Sequence, residues 1–153
     1  MKLEIVMQKA VRQEDSMGCG VACVAFVLGK SYKSTKANLI KNRQKALKQG
    51  YLCKELVDAL KRGGLMYTYS YLKHVPKYKN LTIAFIKRNR KFPKGHYLVK
   101  TNRGWMDPWI NLDLSSDVRR SIAGFRKRLP GKASYALVPA WPLDYKGAKP
   151  SHF

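Results

Sequence analysis

Four side chains of the types used in thiol chemistry follow one another along the chain: Gln13, Cys19, His96 and Asp107. A cysteine nucleophile requires a favoured thiolate, a base that takes up its proton, and donors for the oxyanion that develops on the attacked carbonyl. Histidine is the usual base, and a carboxylate orients the imidazole and stabilises its charged form. We therefore interpret Cys19 as nucleophile, His96 as base, Asp107 as orienting residue and Gln13 as oxyanion-hole donor.

The surroundings of Cys19 predict a helix that begins close to it. A polar stretch over 12–18 leads into an almost wholly apolar run over 19–28, and Gly29 follows. Polar residues before such a run and a glycine after it are typical of helix ends. The positive end of the helix dipole stabilises a thiolate in the first turn, where a backbone N–H can also face an oxyanion. The pattern predicts a buried central helix with Cys19 at its start.

His96 and Asp107 flank a predicted hairpin. His96 opens a strand over 96–101, and the sequence Asn102-Arg103-Gly104 is typical of a tight turn. A hairpin of this size brings Asp107 back towards His96. We therefore expect the carboxylate to lie beside the imidazole.

The remaining elements predict an α+β fold, with N-terminal helices and the central cysteine helix packed on a mostly antiparallel sheet. A helix capped by Ser34 and Thr35 is expected to run to about Gln49, and another to span about 53–62. A basic helix is expected from the cap at 115–117 to about Leu129. Further strands are predicted over 65–71, 81–86 and 134–138, and a short extended segment over 3–8.

Three segments of the chain resemble the bacteriocin-processing, double-glycine peptidases, which are papain-like cysteine peptidases. The resemblance covers roughly residues 8–110 and implies a papain-like fold. It assigns the same roles to Cys19, His96, Asp107 and Gln13, with no metal or organic cofactor required. The segments are Gln13-x5-Cys19-Gly20-x-Ala22-Cys23, then Leu52-x3-Leu56-x3-Leu60-x2-Gly63, then Gly95-His96-Tyr97-Leu98-Val99 followed by Asp107-Pro108.

Two other functions fit the same residues. The constellation would also serve another acyl transfer, such as deamidation or transglutamination, because the thiol mechanism does not distinguish these amide substrates. Alternatively, Cys19 is a buried structural thiol, and the chain is an inert basic domain that binds nucleic acid or an acidic partner. A zinc site built from Cys19, Cys23, Cys53 and a histidine is disfavoured, since closely paired ligands are missing.

The charge balance bears on the partners of the protein. Lys and Arg number 31 against 9 Asp and Glu, which gives a net charge of +22. Such a surplus favours an acidic peptide or protein substrate, or a nucleic acid. Tyr67, Tyr69 and Tyr71 alternate at strand spacing, so their rings share a face that is either a stacking surface for bases or half of a core.

Length and composition predict one peptidase domain over 1–140 and a loosely ordered tail over 141–153, in a chain of 153 residues. No run of 18 apolar residues occurs that would span a membrane. Three cysteines are too few for a disulfide framework, so we expect the reducing environment of the cytoplasm.

Overall fold

The fold places four helices before a six-stranded sheet, in a computed structural model that describes residues 8–74, 76–113 and 116–140. This architecture confirms the predicted α+β class. The helices are α1 (Cys19–Leu28), α2 (Tyr32–Asn38), α3 (Lys45–Lys48) and α4 (Cys53–Arg62). The strands are β1 (Tyr67–Tyr71), β2 (Ile83–Ile86), β3 (His96–Thr101), β4 (Gly104–Asp107), β5 (Gly124–Arg126) and β6 (Ala133–Pro139), with a short 3-10 helix at Val118–Arg120.

The sheet has the order β1-β6-β2-β3-β4-β5, and every neighbouring pair is antiparallel. The predicted hairpin is present: β3 and β4 pair from Val99 opposite Met106 to Thr101 opposite Gly104. The sheet therefore carries His96 and Asp107 on adjacent strands, as expected from the turn at 102–104.

Helix α1 is the centre of the main core. Residues 19–27 are all buried, which suits a helix that is apolar on every side. The helix lies against β3 and α4, and Gly20 faces the Leu56 side chain closely enough that a Cβ there would come within 3.0 Å. The helix begins at Cys19 and ends before Gly29, so both predicted bounds are confirmed.

The helix predicted from Ser34 to Gln49 is wrong in extent. It is two short helices, α2 and α3, and α2 is capped by Ser31, whose Oγ accepts the N–H of Ser34 at 3.1 Å. Tertiary contacts separate them. Ile40 turns into the core, and the guanidinium of Arg62 donates to the carbonyl of Leu39 at 2.6 and 2.8 Å, which satisfies the end of α2.

The basic helix predicted from 115–117 to Leu129 is also wrong. Asp117 caps only the 3-10 turn, by accepting the N–H of Arg119 at 2.9 Å, and β5 follows it. Strand pairing and packing override the local pattern. Arg126 pairs with Trp105, and the Phe125 ring packs edge-on against Phe26 with ring centroids 6.2 Å apart.

Several expectations fall outside the described residues. These are the extended segment up to residue 7, the cap contribution of Ser115, and the tail over 141–153. The extent of the peptidase domain, 1–140, stays a prediction. Within the described ranges no helix has the length and apolarity needed to cross a membrane.

Candidate active site

The loop before α1 fixes the position of Cys19. Gly18 lies against Tyr32, and a Cβ at this residue would fall 2.0 Å from the tyrosine hydroxyl oxygen, so only glycine fits. That hydroxyl donates to Oδ2 of Asp15 at 2.6 Å, and the Lys36 ammonium donates to the same oxygen at 2.8 Å. The loop is thereby tied to α2, and Cys19 is held at the helix start with 6% of its surface exposed.

The His96 ring is held from two directions. Its Nε2 lies 2.7 Å from Oδ1 of Asp107, and its face stacks on the Phe92 ring with centroids 4.5 Å apart. Gly95 precedes it with φ +83°, and a Cβ there would lie 2.1 Å from the Phe85 ring. The backbone therefore needs glycine at this position to bring His96 into the site.

Asp107 is fully buried and accepts three hydrogen bonds. Oδ1 receives the His96 ring and the backbone N–H of Trp109 at 2.9 Å, and Oδ2 receives Nε of Arg126 at 3.0 Å. Burial opposes ionisation, but these donors and the charges of His96 and Arg126 outweigh it and hold the pKa below its ordinary value. These contacts favour the ionised carboxylate of Asp107, whose Oδ1 lies at hydrogen-bond distance from Nε2 of the imidazole.

The electrostatics of His96 favour the imidazolium. Burial acts to lower its pKa, but hydrogen bonding to Asp107 and to the Cys19 thiol raises it from 6.5 to about 9. With Nε2 directed at Asp107, the other ring nitrogen is the one available to the thiol. The structure therefore brings Cys19, His96 and Asp107 together in one chain of polar contacts.

Gln13 lies in the same cavity with 1% of its surface exposed. Its Nε2 donates to the carbonyls of Asp15 and Ser16, each at 3.0 Å, and its backbone N–H donates to Pro108 at 3.3 Å. Its Oε1 is buried and has no hydrogen-bond partner among the described residues. The amide therefore lines the same cavity as Cys19, with its N–H groups directed at the loop, and the oxyanion role stays a prediction.

A cavity of about 290 Å³ opens onto these groups. Gln13, Cys19 and His96 line it together with Trp109, and the loop between β2 and β3 contributes Lys91 and Lys94 among others. Both lysines are exposed residues. Cys19 is therefore reached from a cavity with cationic groups at its wall.

The other two cysteines differ from Cys19 in their surroundings. Cys23 lies one turn further into α1, and burial raises the pKa of its thiol well above the ordinary value. Burial also raises the pKa of Cys53, whose sulfur lies 3.6 Å from the Tyr97 hydroxyl. Among residues 8–74, 76–113 and 116–140, no group of three or more His, Cys, Asp or Glu side chains is arranged to hold a metal ion.

Two supporting residues were missed by sequence reasoning. Phe92 stacks on His96 from the loop that precedes it, and Arg126 holds Asp107 from β5. The three residues of β5, Gly124–Arg126, show no alternating pattern, so no local signal places Arg126 beside β4. No local pattern predicts the stacking of Phe92, because it depends on the path of the whole loop.

Comparison with protein families identifies a family to which most of this chain is similar. The family described as the Peptidase C39 family matches residues 7–105, which is well over half of the sequence. The matched range contains Gln13, Cys19 and His96, whereas Asp107 lies just beyond it. No curated protein sequence matches the chain.

Proposed function

Because the chain belongs to the Peptidase C39 family, the double-glycine peptidases of papain-like type, we propose that it cleaves peptide bonds with Cys19, His96 and Asp107. Membership makes it a cysteine peptidase in general; the assignment of roles to residues is our proposal. The observation that carries it is the position of His96, whose ring interacts with the Asp107 carboxylate and the Cys19 thiol and has a pKa raised to about 9.

Acylation begins from the thiolate–imidazolium pair. The Cys19 sulfur attacks the peptide carbonyl carbon and forms a carbon–sulfur bond, while the carbonyl oxygen becomes an oxyanion. The carbon–nitrogen bond then breaks, and His96 gives its proton to the leaving amine. Asp107 stays ionised throughout and keeps the imidazole oriented.

Deacylation uses the same groups in reverse. Neutral His96 takes a proton from a water molecule, whose oxygen attacks the thioester carbonyl. The carbon–sulfur bond breaks and releases the Cys19 thiolate, while His96 keeps the proton taken from water, which restores the thiolate–imidazolium pair. The carboxylic acid product gives its remaining proton to solvent and leaves as a carboxylate. No redox step or external co-reactant other than water is needed.

Two donors serve the oxyanion in this proposal. Cys19 is the first residue of α1, and the first N–H groups of a helix have no acceptor within the helix. Gln13 supplies the second donor when one N–H of its Nε2 turns from the loop carbonyls of Asp15 and Ser16 to the substrate. An oxyanion-hole donor typically lowers the barrier by about 3 kcal/mol.

We further propose that the substrate is acidic around the cleaved bond. Lys91 and Lys94 line the cavity, and residues 59–106 contain twelve Lys and Arg but no Asp or Glu. Such a field raises the local concentration of anionic peptide. We also propose a reducing, cytoplasmic setting, because the mechanism needs a free thiol and the cysteines Cys19, Cys23 and Cys53 are all unpaired.

The test is cleavage of a mixed peptide library, with products identified by mass spectrometry. The wild-type protein is expected to produce new termini, Cys19→Ala is expected to produce none, and Cys53→Ala is the matched control that retains cleavage. Acidic residues are expected to be enriched around the cut sites. Cleavage that survives in Cys19→Ala would overturn the mechanism, and cut sites without acidic enrichment would overturn the substrate class alone.

A further inference from the structure

One end of the sheet carries a row of aromatic rings on the face that α1 and α4 cover elsewhere. The row crosses four strands in register: Tyr71 is opposite Tyr135, Tyr135 is opposite Phe85, and Phe85 is opposite Tyr97. Tyr71 and Tyr135 have ring centroids 5.5 Å apart, and Phe85 and Tyr97 have centroids 4.7 Å apart. We call these four rings, together with Tyr69, the aromatic platform.

Exposure increases along the row towards the edge strand β1. Tyr97 is 3% exposed, Phe85 is half-buried, Tyr135 is 36% exposed and Tyr71 is 62% exposed. Tyr67, which shares the alternation of β1, is buried in the core. The inner rings are therefore part of the fold, whereas the outer rings present apolar faces to water.

All the rings of the platform except Tyr71 form one side of a cavity of about 340 Å³. The start of α4 forms the opposite side, where Leu52 is 66% exposed and Lys54 is exposed. Three of the six large hydrophobic side chains that are exposed in the described part of the chain line this cavity, namely Leu52, Tyr69 and Tyr135, and a fourth, Tyr71, packs against Tyr135. Exposed aromatic residues gathered around a cavity indicate a binding surface.

Positive charge borders the same end of the sheet. Because the strands are antiparallel, the ends of β1 and β2 and the starts of β6 and β3 meet here, and each is flanked by a lysine. Lys87 and Lys132 are adjacent, since the N–H of Lys87 donates to the carbonyl of Lys132 at 2.8 Å. Lys94 reaches towards α3 and donates to the carbonyl of Lys48 at 2.7 Å. Lys73 follows β1.

We propose that the aromatic platform binds single-stranded nucleic acid, with bases stacked on the outer rings and phosphates neutralised by the bordering lysines. Open aromatic faces beside a cationic surface are how proteins hold unpaired bases without sequence preference. An acidic peptide would use the lysines but has no need of exposed rings, and a duplex keeps its bases inaccessible to stacking. This binding site shares only Lys94 with the cavity at Cys19 and does not depend on the proposed peptidase activity.

The test is fluorescence anisotropy of the full chain with a labelled oligothymidylate of about 20 nucleotides. An abasic oligomer of the same length and a poly-glutamate peptide serve as probes of charge alone. We expect the oligothymidylate to bind about tenfold more tightly than the abasic oligomer, and Tyr71→Ala and Tyr135→Ala each to weaken it about fivefold or more. Tyr71→Phe is expected to restore binding, because it keeps the ring.

The control variant is Ile122→Ala, which removes an exposed apolar side chain elsewhere on the surface. It is expected to bind like the wild type, and a circular dichroism spectrum checks that each variant is folded. Equal affinity for the oligothymidylate and the abasic oligomer would overturn the proposal, as would unchanged binding in both tyrosine variants or the absence of binding. If the tyrosine variants instead weakened the binding of poly-glutamate, the platform would be a peptide-binding surface, and the proposal of nucleic-acid binding would also be overturned.

Discussion

His96 and Tyr97 are neighbours in β3 but belong to two different regions of the molecule. His96 lies in the cleft, where Gln13, Cys19 and Asp107 are at most 6% exposed and the carboxylate accepts three hydrogen bonds. Tyr97 is the innermost ring of the aromatic platform, whose outer ring, Tyr71, is 62% exposed. Alternation along one strand thus supplies both a buried polar site and an open aromatic surface.

The two regions differ in how they depend on individual atoms. In the cleft, each group acts through a fixed neighbour at hydrogen-bond distance, so one substitution breaks the whole chain of contacts. On the platform, each ring and each lysine adds its own share to the affinity for nucleic acid, so a single substitution lowers the affinity only in part. Salt is expected to weaken this binding strongly. The comparison predicts that substitutions in one region leave the other working.

The largest effect is expected for Asp107→Asn, which removes the anion that orients His96 and raises its pKa. Loss of this partner should lower kcat by about 1,000-fold with a much smaller change in KM. Oligothymidylate binding should be unchanged. Steady-state kinetics on a peptide found in the library experiment measures the first effect, and anisotropy measures the second.

The matched control is Asp58→Asn, because Asp58 is an exposed carboxylate on α4. It should alter neither activity. Two results would refute the separation of the two regions. One is a folded Asp107→Asn protein with the kcat of the wild type, and the other is a loss of oligothymidylate affinity as large as the loss of kcat.

A smaller loss is expected for Gln13→Ala. Removal of one oxyanion donor should lower kcat by about 100-fold, whereas Gln44→Ala, at an exposed glutamine, should not change it. The assay is the same peptide cleavage, with a thermal unfolding curve to confirm folding. A rise in KM at constant kcat would show that Gln13 acts in substrate binding only.

Stability should depend on pH through His96. Its pKa is about 9 in the folded protein against 6.5 for an unperturbed histidine, so its contribution is fully present below pH 6.5 and is lost as the pH rises towards 9. The slope approaches about 1.4 kcal/mol per pH unit of unfolding free energy. Asp107, with a lowered pKa, contributes stability that is lost as the pH falls below its ordinary value.

Denaturant unfolding at a series of pH values measures this dependence. The decrease in unfolding free energy at alkaline pH should disappear in His96→Ala. It should persist in His74→Ala, which changes an exposed histidine. A His96→Ala protein with the wild-type alkaline slope would show that another group titrates, and the thiolate–imidazolium pair would lose its support.

The smallest effect is expected for Arg126→Gln. Arg126 touches neither substrate nor thiol in this account; it positions Asp107 through the contact from Nε to Oδ2. Loss of one charge-assisted hydrogen bond should lower kcat about fivefold, and Arg126→Lys should recover part of it. The pH profile of kcat should shift with the variant, and an unchanged profile would make the role of Arg126 purely structural.

The sequence was sufficient wherever short-range signals agreed. The apolar run after Cys19 predicted that Cys19 lies at a helix start, and the turn at 102–104 predicted that Asp107 lies near His96. Both predictions depend on neighbours close in the chain. It failed where distant residues decide. Helix α2 ends where Arg62 donates to the carbonyl of Leu39, and Arg126 lies in a strand because β4 pairs with it. Neither outcome can be predicted from the residues close in sequence.

The platform shows the same limit in another form. Alternation of Tyr67, Tyr69 and Tyr71 correctly predicted a shared face but left open whether it was core or surface. The answer depends on where α4 begins over the sheet: Tyr67 is covered and Tyr71 is not.

The most direct test of the central claim is the rate of Cys19 alkylation by iodoacetamide, mapped by mass spectrometry between about pH 6 and pH 8. We expect Cys19 to react much faster than Cys53 at about pH 6, because His96 is still an imidazolium there. His96→Ala should abolish this advantage, and Tyr71→Ala should leave it intact. A Cys19 that reacts no faster than Cys53, or that keeps its reactivity without His96, would contradict the account.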